Sequence, residues 1–228
     1  MSFRRLIALL AVICAALAAT AAPAAGPNWT GTVTVTPEGS HVLGNPQAKL
    51  KLTEYVSYTC PHCAQFEIAS DAPLRLGYVS TGQVSVELKH LLRDPVDATV
   101  ALLANCGPKE NFFANHAAFM RRQREWMAPL AVASDGQRQR WSTGPFLARR
   151  RAIANDFHLY DIMERRGYSR PMVDRCLADE AMARRIAGHN ADADRLGIEG
   201  TPSFVLNGVR LAGTHTWEAV EAQLRARL

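Results

Sequence analysis

The segment Cys60-Pro61-His62-Cys63 stands between residues with strand alternation and residues with helical spacing. Two cysteines at this spacing can close a disulfide. A helix that begins at the first cysteine directs unpaired backbone N–H groups and its positive dipole end at that sulfur. Pro61 falls at the first helical position, where its missing N–H costs nothing. His62 can present an imidazole to the sulfur. The motif therefore predicts a strand–turn–helix unit with a reactive cysteine pair at the helix N-terminus.

The two cysteines of this motif are predicted to have different roles. Cys60 should have a depressed pKa and act as nucleophile and leaving group, whereas Cys63 should be more buried and resolve the mixed disulfide. Because a stabilised thiolate favours the reduced form, the disulfide would be an oxidant of other proteins. The alternatives are a zinc site, which normally uses a second closely spaced pair, and a plain structural disulfide. Redox chemistry is favoured over both, with no metal and no dissociable cofactor.

Segments with period-two alternation flank a long region of helical periodicity. Strand patterns lie at 32–36, 49–58, 84–88, 203–206 and 209–211, and helical patterns at 60–79 and 216–228. The region 95–196 is rich in Ala, Arg and Leu, is broken by glycines and prolines, and fits four or five helices. The order predicts an α/β fold: a small sheet, first half 25–95 and second half 197–228, with a helical insertion at 96–196.

The N-terminal segment 1–24 is predicted to be a signal peptide. Arg4 and Arg5 precede an apolar run at 6–17 that is too short to span a bilayer comfortably, and small residues follow it. An uncleaved membrane anchor is the alternative. Export places the protein in the periplasm, away from nucleic acid. The net charge of +5 is therefore interpreted as solvated helix faces rather than as a nucleic-acid surface.

A second pair of cysteines lies in the helical region. With Cys14 assigned to the signal peptide, Cys106 and Cys176 remain beside the motif, each on an apolar helix face. Because an exported protein meets oxidising conditions, the even count predicts a structural disulfide between them. Two free buried cysteines are the alternative.

Three segments of the chain resemble a known family. Tyr58-Thr59-Cys60-Pro61-His62-Cys63 followed by Gln65-Phe66 resembles the active-site segment of the DsbA branch of the thioredoxin superfamily. The segment 200–208 resembles the second signature of that family, and 44–48 its usual lead-in. The resemblance covers almost the whole chain after the signal segment and implies a thioredoxin-like fold with a helical domain inserted between the halves of its sheet.

The resemblance also implies roles for residues outside the motif. Pro202 is expected to be a cis-proline that faces the active-site disulfide, and the backbone of Thr201 is expected to bind an extended substrate segment. Glu54 matches a buried acid beneath the active site that relays the proton of Cys63. Its strand phase agrees with burial, although a strand-end residue that reaches solvent is the alternative. Lys89 matches the basic partner of that acid, but lies on the opposite strand phase.

The sequence thus predicts a monomeric periplasmic oxidase that donates its Cys60–Cys63 disulfide to reduced, unfolded exported proteins. The resemblance implies that a membrane quinone-linked thiol oxidase regenerates the disulfide. Thr201 before the proline resembles the isomerase and reductase branches, so an isomerase or reductase is the first alternative. A metallochaperone or holdase that uses the thiols as ligands is the second. Replacement of both motif cysteines by serine separates them, because only a holdase would keep its activity.

Overall fold

The computed structural model describes residues 26–228, and the predicted signal segment 1–24 lies outside them. Within these residues six strands form one mixed sheet in the order β1-β2-β4-β3-β5-β6. The strands are β1 (Val33–Val35), β2 (His41–Gly44), β3 (Leu50–Val56), β4 (Val84–His90), β5 (Ser203–Leu206) and β6 (Val209–Arg210). The central pair β3 and β4 is parallel, and every other neighbouring pair in this sheet is antiparallel.

The strand β2 has no counterpart among the predicted elements. Its sequence, His-Val-Leu-Gly, does not alternate, and it ends at Gly44 in a left-handed backbone conformation with φ 108°. β2 pairs with both β1 and β4, so it connects β1 to the centre of the sheet. Sheet neighbours rather than local periodicity therefore establish this strand.

The helix α1 (Pro61–Leu74) follows β3 directly and is continued by a π-helical turn, Arg75–Val79. Between β4 and β5 the described chain forms eight helices: α2 (Pro95–Ala104), α3 (Phe112–Arg121), α4 (Gln123–Trp126), α5 (Asp135–Ser142), α6 (Phe146–Asp156), α7 (Leu159–Arg165), α8 (Arg170–Leu177) and α9 (Glu180–Arg195). The helix α10 (Trp217–Arg225) completes the fold.

The helical region is divided more finely than the predicted four or five helices. Gly167 ends one turn with φ 89°, and His158 separates α6 from α7 in a left-handed conformation with φ 54°. A histidine in this conformation is uncommon, and nothing in the sequence marks it as a helix breaker. The breaks at glycine and proline are those that local sequence indicates.

One hydrophobic cluster joins the sheet to the helical region. Tyr58, fully buried after β3, lies 6.1 Å from Phe119 of α3 between ring centroids. Phe157 at the end of α6 is also fully buried and contacts Trp126 and Trp141. Truncation of an aromatic side chain in such a core typically costs about 3–5 kcal/mol. The helices are thus fixed against the residues that precede Cys60. No helix in the described part of the chain has the length and hydropathy to cross a membrane.

Candidate active site

Cys60 lies at the junction of strand and helix that the motif predicts. It is the N-cap residue of α1, with an extended backbone (φ −95°, ψ 115°), and Pro61 occupies the first turn. The carbonyl of Cys60 accepts the N–H groups of Cys63 at 3.2 Å and Ala64 at 3.4 Å. These bonds begin the helix and fold Cys63 back over Cys60, with both cysteines as free thiols.

The two thiols have opposite pKa shifts. The pKa of Cys60 falls from 9.0 to about 4, chiefly because Cys63 hydrogen-bonds to its sulfur, and the backbone N–H groups of Cys63 and His62 lower it further against the opposing effect of burial. Burial raises the pKa of Cys63 well above its ordinary value, and the hydrogen bond and negative charge of Cys60 raise it further. Near neutral pH the pair is thus one thiolate and one thiol.

The loop before β5 closes over this pair. The Thr201–Pro202 peptide bond is cis, and the Sγ of Cys60 lies 3.2 Å from the Thr201 carbonyl oxygen, to which its protonated form donates. The Nδ1 of His215 lies 2.9 Å from the Pro202 carbonyl oxygen, so its N–H tautomer donates there. Pro202 is buried and Thr201 half-buried. The structure therefore places the carbonyl of Thr201 at the reactive sulfur, and the cis-proline Pro202 follows it in the chain.

A shallow groove of about 240 Å³ lies beside the pair. Its walls include His62, Gln65 and Phe66 of α1 on one side and His215 and Trp217 on the other. His62 and His215 are exposed, while Phe66 and Trp217 are buried. The groove is thus an apolar surface with two imidazoles at its edge.

Glu54 lies beneath the pair, as its strand phase indicates. It is 6% exposed and faces a cavity of about 30 Å³ that Glu67 and His116 also line. Burial raises the pKa of Glu54 well above its ordinary value, and the nearby Glu67 raises it further. A charged Glu54 in turn raises the pKa of Cys63. The cavity has room for a water molecule, and the raised pKa favours the protonated form of Glu54 near Cys63.

The expected pairing of Lys89 with Glu54 is wrong. In the parallel ladder of β3 and β4, Leu88 stands opposite Glu54, and Lys89 stands opposite Tyr55. Successive side chains of a strand point to opposite faces. Lys89 therefore lies on the other face of the sheet, where its Nζ binds Asp192 at 2.8 Å. The alternation of side chains along β4 in the sequence predicts this position of Lys89 correctly, whereas the family resemblance does not.

Two residues of the helical region bind the active-site turn, and the sequence analysis does not predict either of them. Gln123 Nε2 donates to the carbonyls of Tyr58 at 2.7 Å and Cys60 at 2.8 Å. The carboxylate of Asp97 accepts the Ser57 hydroxyl at 2.6 Å and the Tyr58 N–H at 2.7 Å. Burial raises the pKa of Asp97 to about 7, although these hydrogen bonds oppose the shift. The sequence contains no motif that marks either residue.

Cys106 and Cys176 form a disulfide with a Cα–Cα distance of 5.5 Å. It links Cys106, two residues after the end of α2, to α8 across a separation of 70 residues. No group of three or more His, Cys, Asp or Glu side chains within residues 26–228 is arranged to hold a metal ion. Cys60 and Cys63 are the free cysteines among the described residues.

Comparison with known proteins identifies the family of this arrangement. The family model described as Thioredoxin matches residues 36–226. A protein from Rickettsia bellii named "Putative protein-disulfide oxidoreductase" is 26% identical over 177 residues, which are 76% of this chain and 59% of that protein. The chain spans between 53% and 59% of the length of five such Rickettsia relatives.

Solved structures share the same fold. A protein-disulfide isomerase from Novosphingobium aromaticivorans is 50% identical, with a TM-score of 0.80, over 82% of this chain and 96% of that one. Alpha-DsbA1 from Wolbachia pipientis is 19% identical, with a TM-score of 0.66, over 84% of this chain and 92% of that one. These findings confirm the resemblance and the α/β fold predicted from the sequence.

Proposed function

The chain belongs to the thioredoxin family, and on this premise we propose that it is a thiol–disulfide oxidoreductase that introduces disulfide bonds into exported proteins. The observation that carries the proposal is the opposite pKa shift of the two thiols. A pKa of about 4 for Cys60 stabilises the reduced pair at neutral pH, because the thiolate form exists only when the disulfide is open. The disulfide is correspondingly a strong oxidant.

Oxidation of a substrate proceeds in two exchange steps. A substrate thiolate attacks Sγ of Cys60 in the Cys60–Cys63 disulfide, the internal S–S bond breaks, and Cys63 leaves as a thiolate that takes a proton from Glu54. A second substrate thiolate then attacks the substrate sulfur of the mixed disulfide and expels Cys60, which leaves readily because its pKa is low. The substrate loses two electrons and gains a disulfide, and the enzyme pair is reduced.

The loop and groove around the pair fit an extended polypeptide as the substrate. The Thr201 carbonyl, 3.2 Å from Sγ of Cys60, is placed to bind substrate backbone N–H groups beside the reacting sulfur. The groove edged by His62 and Trp217 offers apolar contact to side chains next to the substrate cysteine. Recognition through backbone and shallow apolar contacts suits reduced, unfolded proteins of varied sequence.

The N-terminal sequence supports a proposal about the cellular setting. We propose that residues 1–24 act as a cleaved signal peptide that delivers a monomer to the periplasm, where a membrane quinone-linked thiol oxidase reoxidises the pair. Secretion of an N-terminal fusion and light scattering of the mature protein test these points. Retention in the cytoplasm or a stable dimer would contradict them.

An isomerase is the second candidate, because the relative from Novosphingobium aromaticivorans that is 50% identical is named a protein-disulfide isomerase. Thr201 before the proline favours the same interpretation. The two candidates differ in the redox state that the pair keeps during turnover: an oxidase starts as the disulfide, whereas an isomerase starts as the dithiol.

The reduction potential of the Cys60–Cys63 pair tests the proposal. Equilibration in glutathione buffers should give a value near the oxidising end of the family range, about −120 mV. A value near about −270 mV would contradict an oxidase and favour a reductase. The matched control is Cys60→Ser with Cys63→Ser, which should lose all exchange activity. If that variant kept its activity on unfolded proteins, the protein would be a holdase.

A further inference from the structure

Two apolar pockets adjoin on the side of the active site that faces the helical region, away from the groove at His62. The first, about 440 Å³, lies among Thr59, Pro95, Leu130 and Trp141. The second, also about 440 Å³, lies between α2, α6 and α9 and is lined by residues that include Pro95, Leu102, Phe146 and Ile186. We call the two pockets together the insertion track.

The two pockets of the insertion track share a residue, and the first pocket reaches the residue before Cys60. Pro95 lines both pockets, so they meet at the first turn of α2. Thr59, which immediately precedes Cys60, lines the first pocket, and its hydroxyl donates to Asp94 at 2.8 Å. A polypeptide whose cysteine reacts with Cys60 therefore has a path along the track in one direction.

The edges of the track carry excess positive charge. Its lining includes Arg138, Arg149, Arg150 and Arg184 but only the acids Asp94 and Glu180. Glu180 is already paired with Arg150 at 2.7 Å, and the Asp94 carboxylate is held by Thr59 and by N–H groups of α2. The excess positive charge therefore lies on the arginines of the track other than Arg150.

Arg184 and Arg149 both line the second pocket and make no ion pair within residues 26–228, although Arg149 Nη1 donates to the Ser142 carbonyl at 2.9 Å. Arg184 is exposed and makes no ion pair with any residue in the described range 26–228. The guanidinium of Arg149 lies 4.5 Å from the ring centroid of Phe146, and its Nε is buried without a hydrogen-bond partner among the described residues. Phe146 itself is 60% exposed, so an apolar side chain and two cations face the same space.

We propose that the insertion track binds the substrate polypeptide on one side of its reacting cysteine and selects segments that combine apolar and acidic side chains. The proposal rests on the proposed function and adds a substrate preference to it. Apolar side chains fill the two pockets, and carboxylates pair with Arg149 and Arg184. An extended segment suits the track because the pockets follow one another from Thr59 outward, rather than forming one deep cavity.

Peptide oxidation kinetics test this proposal. Three dithiol peptides of equal length carry Leu and Phe beside one cysteine together with Glu, Gln or Lys, placed either before or after that cysteine. The oxidised protein should react fastest with the Glu peptide, about ten-fold faster than with the Gln peptide if two surface ion pairs contribute. The preference should appear for one placement only and should largely vanish in 1 M salt, where charges are screened within about 3 Å.

Variants locate the preference on the track. R184Q and R149Q should each reduce the ratio of Glu to Gln rates by about three-fold. The matched control R165Q changes an exposed arginine of α7 that does not line the track, and it should leave the ratio unchanged. Each rate is divided by that of the same variant with dithiothreitol, so that a change in basal exchange cancels.

The outcomes separate this proposal from the proposed function. Equal rates for the Glu, Gln and Lys peptides, or a preference that R184Q and R149Q leave intact, would overturn the substrate preference while dithiothreitol oxidation upholds the exchange activity. Failure with dithiothreitol as well as with every peptide would instead overturn the proposed function.

Discussion

Acidification should destabilise the dithiol form of the protein more than the disulfide form. The pKa of Cys60 is about 4 in the folded chain, against 9.0 as its ordinary value. At pH 7 the folded dithiol thus carries a thiolate and the unfolded chain a thiol. The gap between pH 7 and a pKa of about 4 is about three units, which at about 1.4 kcal/mol each stabilises the dithiol form by about 4 kcal/mol.

The sign follows from the direction of the shift. Because folding depresses this pKa, the contribution is complete above the unfolded value and is lost as the pH falls through about 4. The disulfide form has no thiol at Cys60 and lacks the contribution at every pH. The free energy of unfolding of the dithiol minus that of the disulfide should therefore decrease by about 4 kcal/mol between pH 7 and pH 3. The same energy corresponds to about 90 mV of oxidising potential at pH 7.

Guanidinium chloride unfolding of the two forms at pH 3, 4, 5, 6 and 7 measures this difference. The dithiol form is prepared by mild reduction and verified by two free thiols per chain, so that the Cys106–Cys176 bond stays closed. Cys60→Ser with Cys63 intact is the control and should show no such pH dependence. Thiolate absorbance at 240 nm gives an independent midpoint, expected near pH 4. A difference that changes by less than about 1 kcal/mol, or that grows on acidification, would refute the reasoning.

Three further changes test the site and its supports. Glu54→Gln should slow exchange by about 100-fold because the relay proton is lost, as stopped-flow fluorescence can show. The same variant should raise the free energy of unfolding at pH 7 but not below pH 4. A buried acid with a raised pKa stays protonated in the folded chain and ionises in the unfolded chain as the pH rises, which favours unfolding. An equal increase in the free energy of unfolding at both pH values would contradict this. Opening the disulfide with Cys106→Ala and Cys176→Ala should cost about 4 kcal/mol in denaturant unfolding, from the 70-residue loop that it closes, and an unchanged midpoint would contradict that value. Gln123→Ala should cost about 1–3 kcal/mol and shift the Cys60 thiolate midpoint, because the carbonyls of Tyr58 and Cys60 each lose the Gln123 donor; Gln139→Ala, on the surface of α5, should do neither.

The reactive pair could be predicted from the sequence because its chemistry is local. A cysteine directly before Pro61 and a helical pattern is predicted to be a helix N-cap, and the first helical turn supplies the N–H groups that stabilise its thiolate. The burial of Glu54 could be predicted for the same reason, since the side chains of a strand alternate. The same alternation places Lys89 on the face of the sheet opposite to Glu54, although the family resemblance implies that the two are paired.

Other parts of the site depend on long-range contacts that no local pattern encodes. Gln123 is 63 residues from Cys60 and Asp97 is 40 residues from Ser57, and both reach the active-site turn only after the helices pack on the sheet. β2 became a strand because β1 and β4 flank it, despite a sequence without alternation.

The sequence by itself determined the cysteine motif, the strand and helix on either side of it, and the face on which Glu54 lies, because each depends on neighbours within a few residues. Tertiary structure decided which groups hold the turn in place, which residue stands opposite Glu54, and how two pockets meet at Pro95. Those outcomes depend on the packing of distant segments, where side-chain shape and hydrogen-bond satisfaction select one arrangement among many that the same local patterns allow.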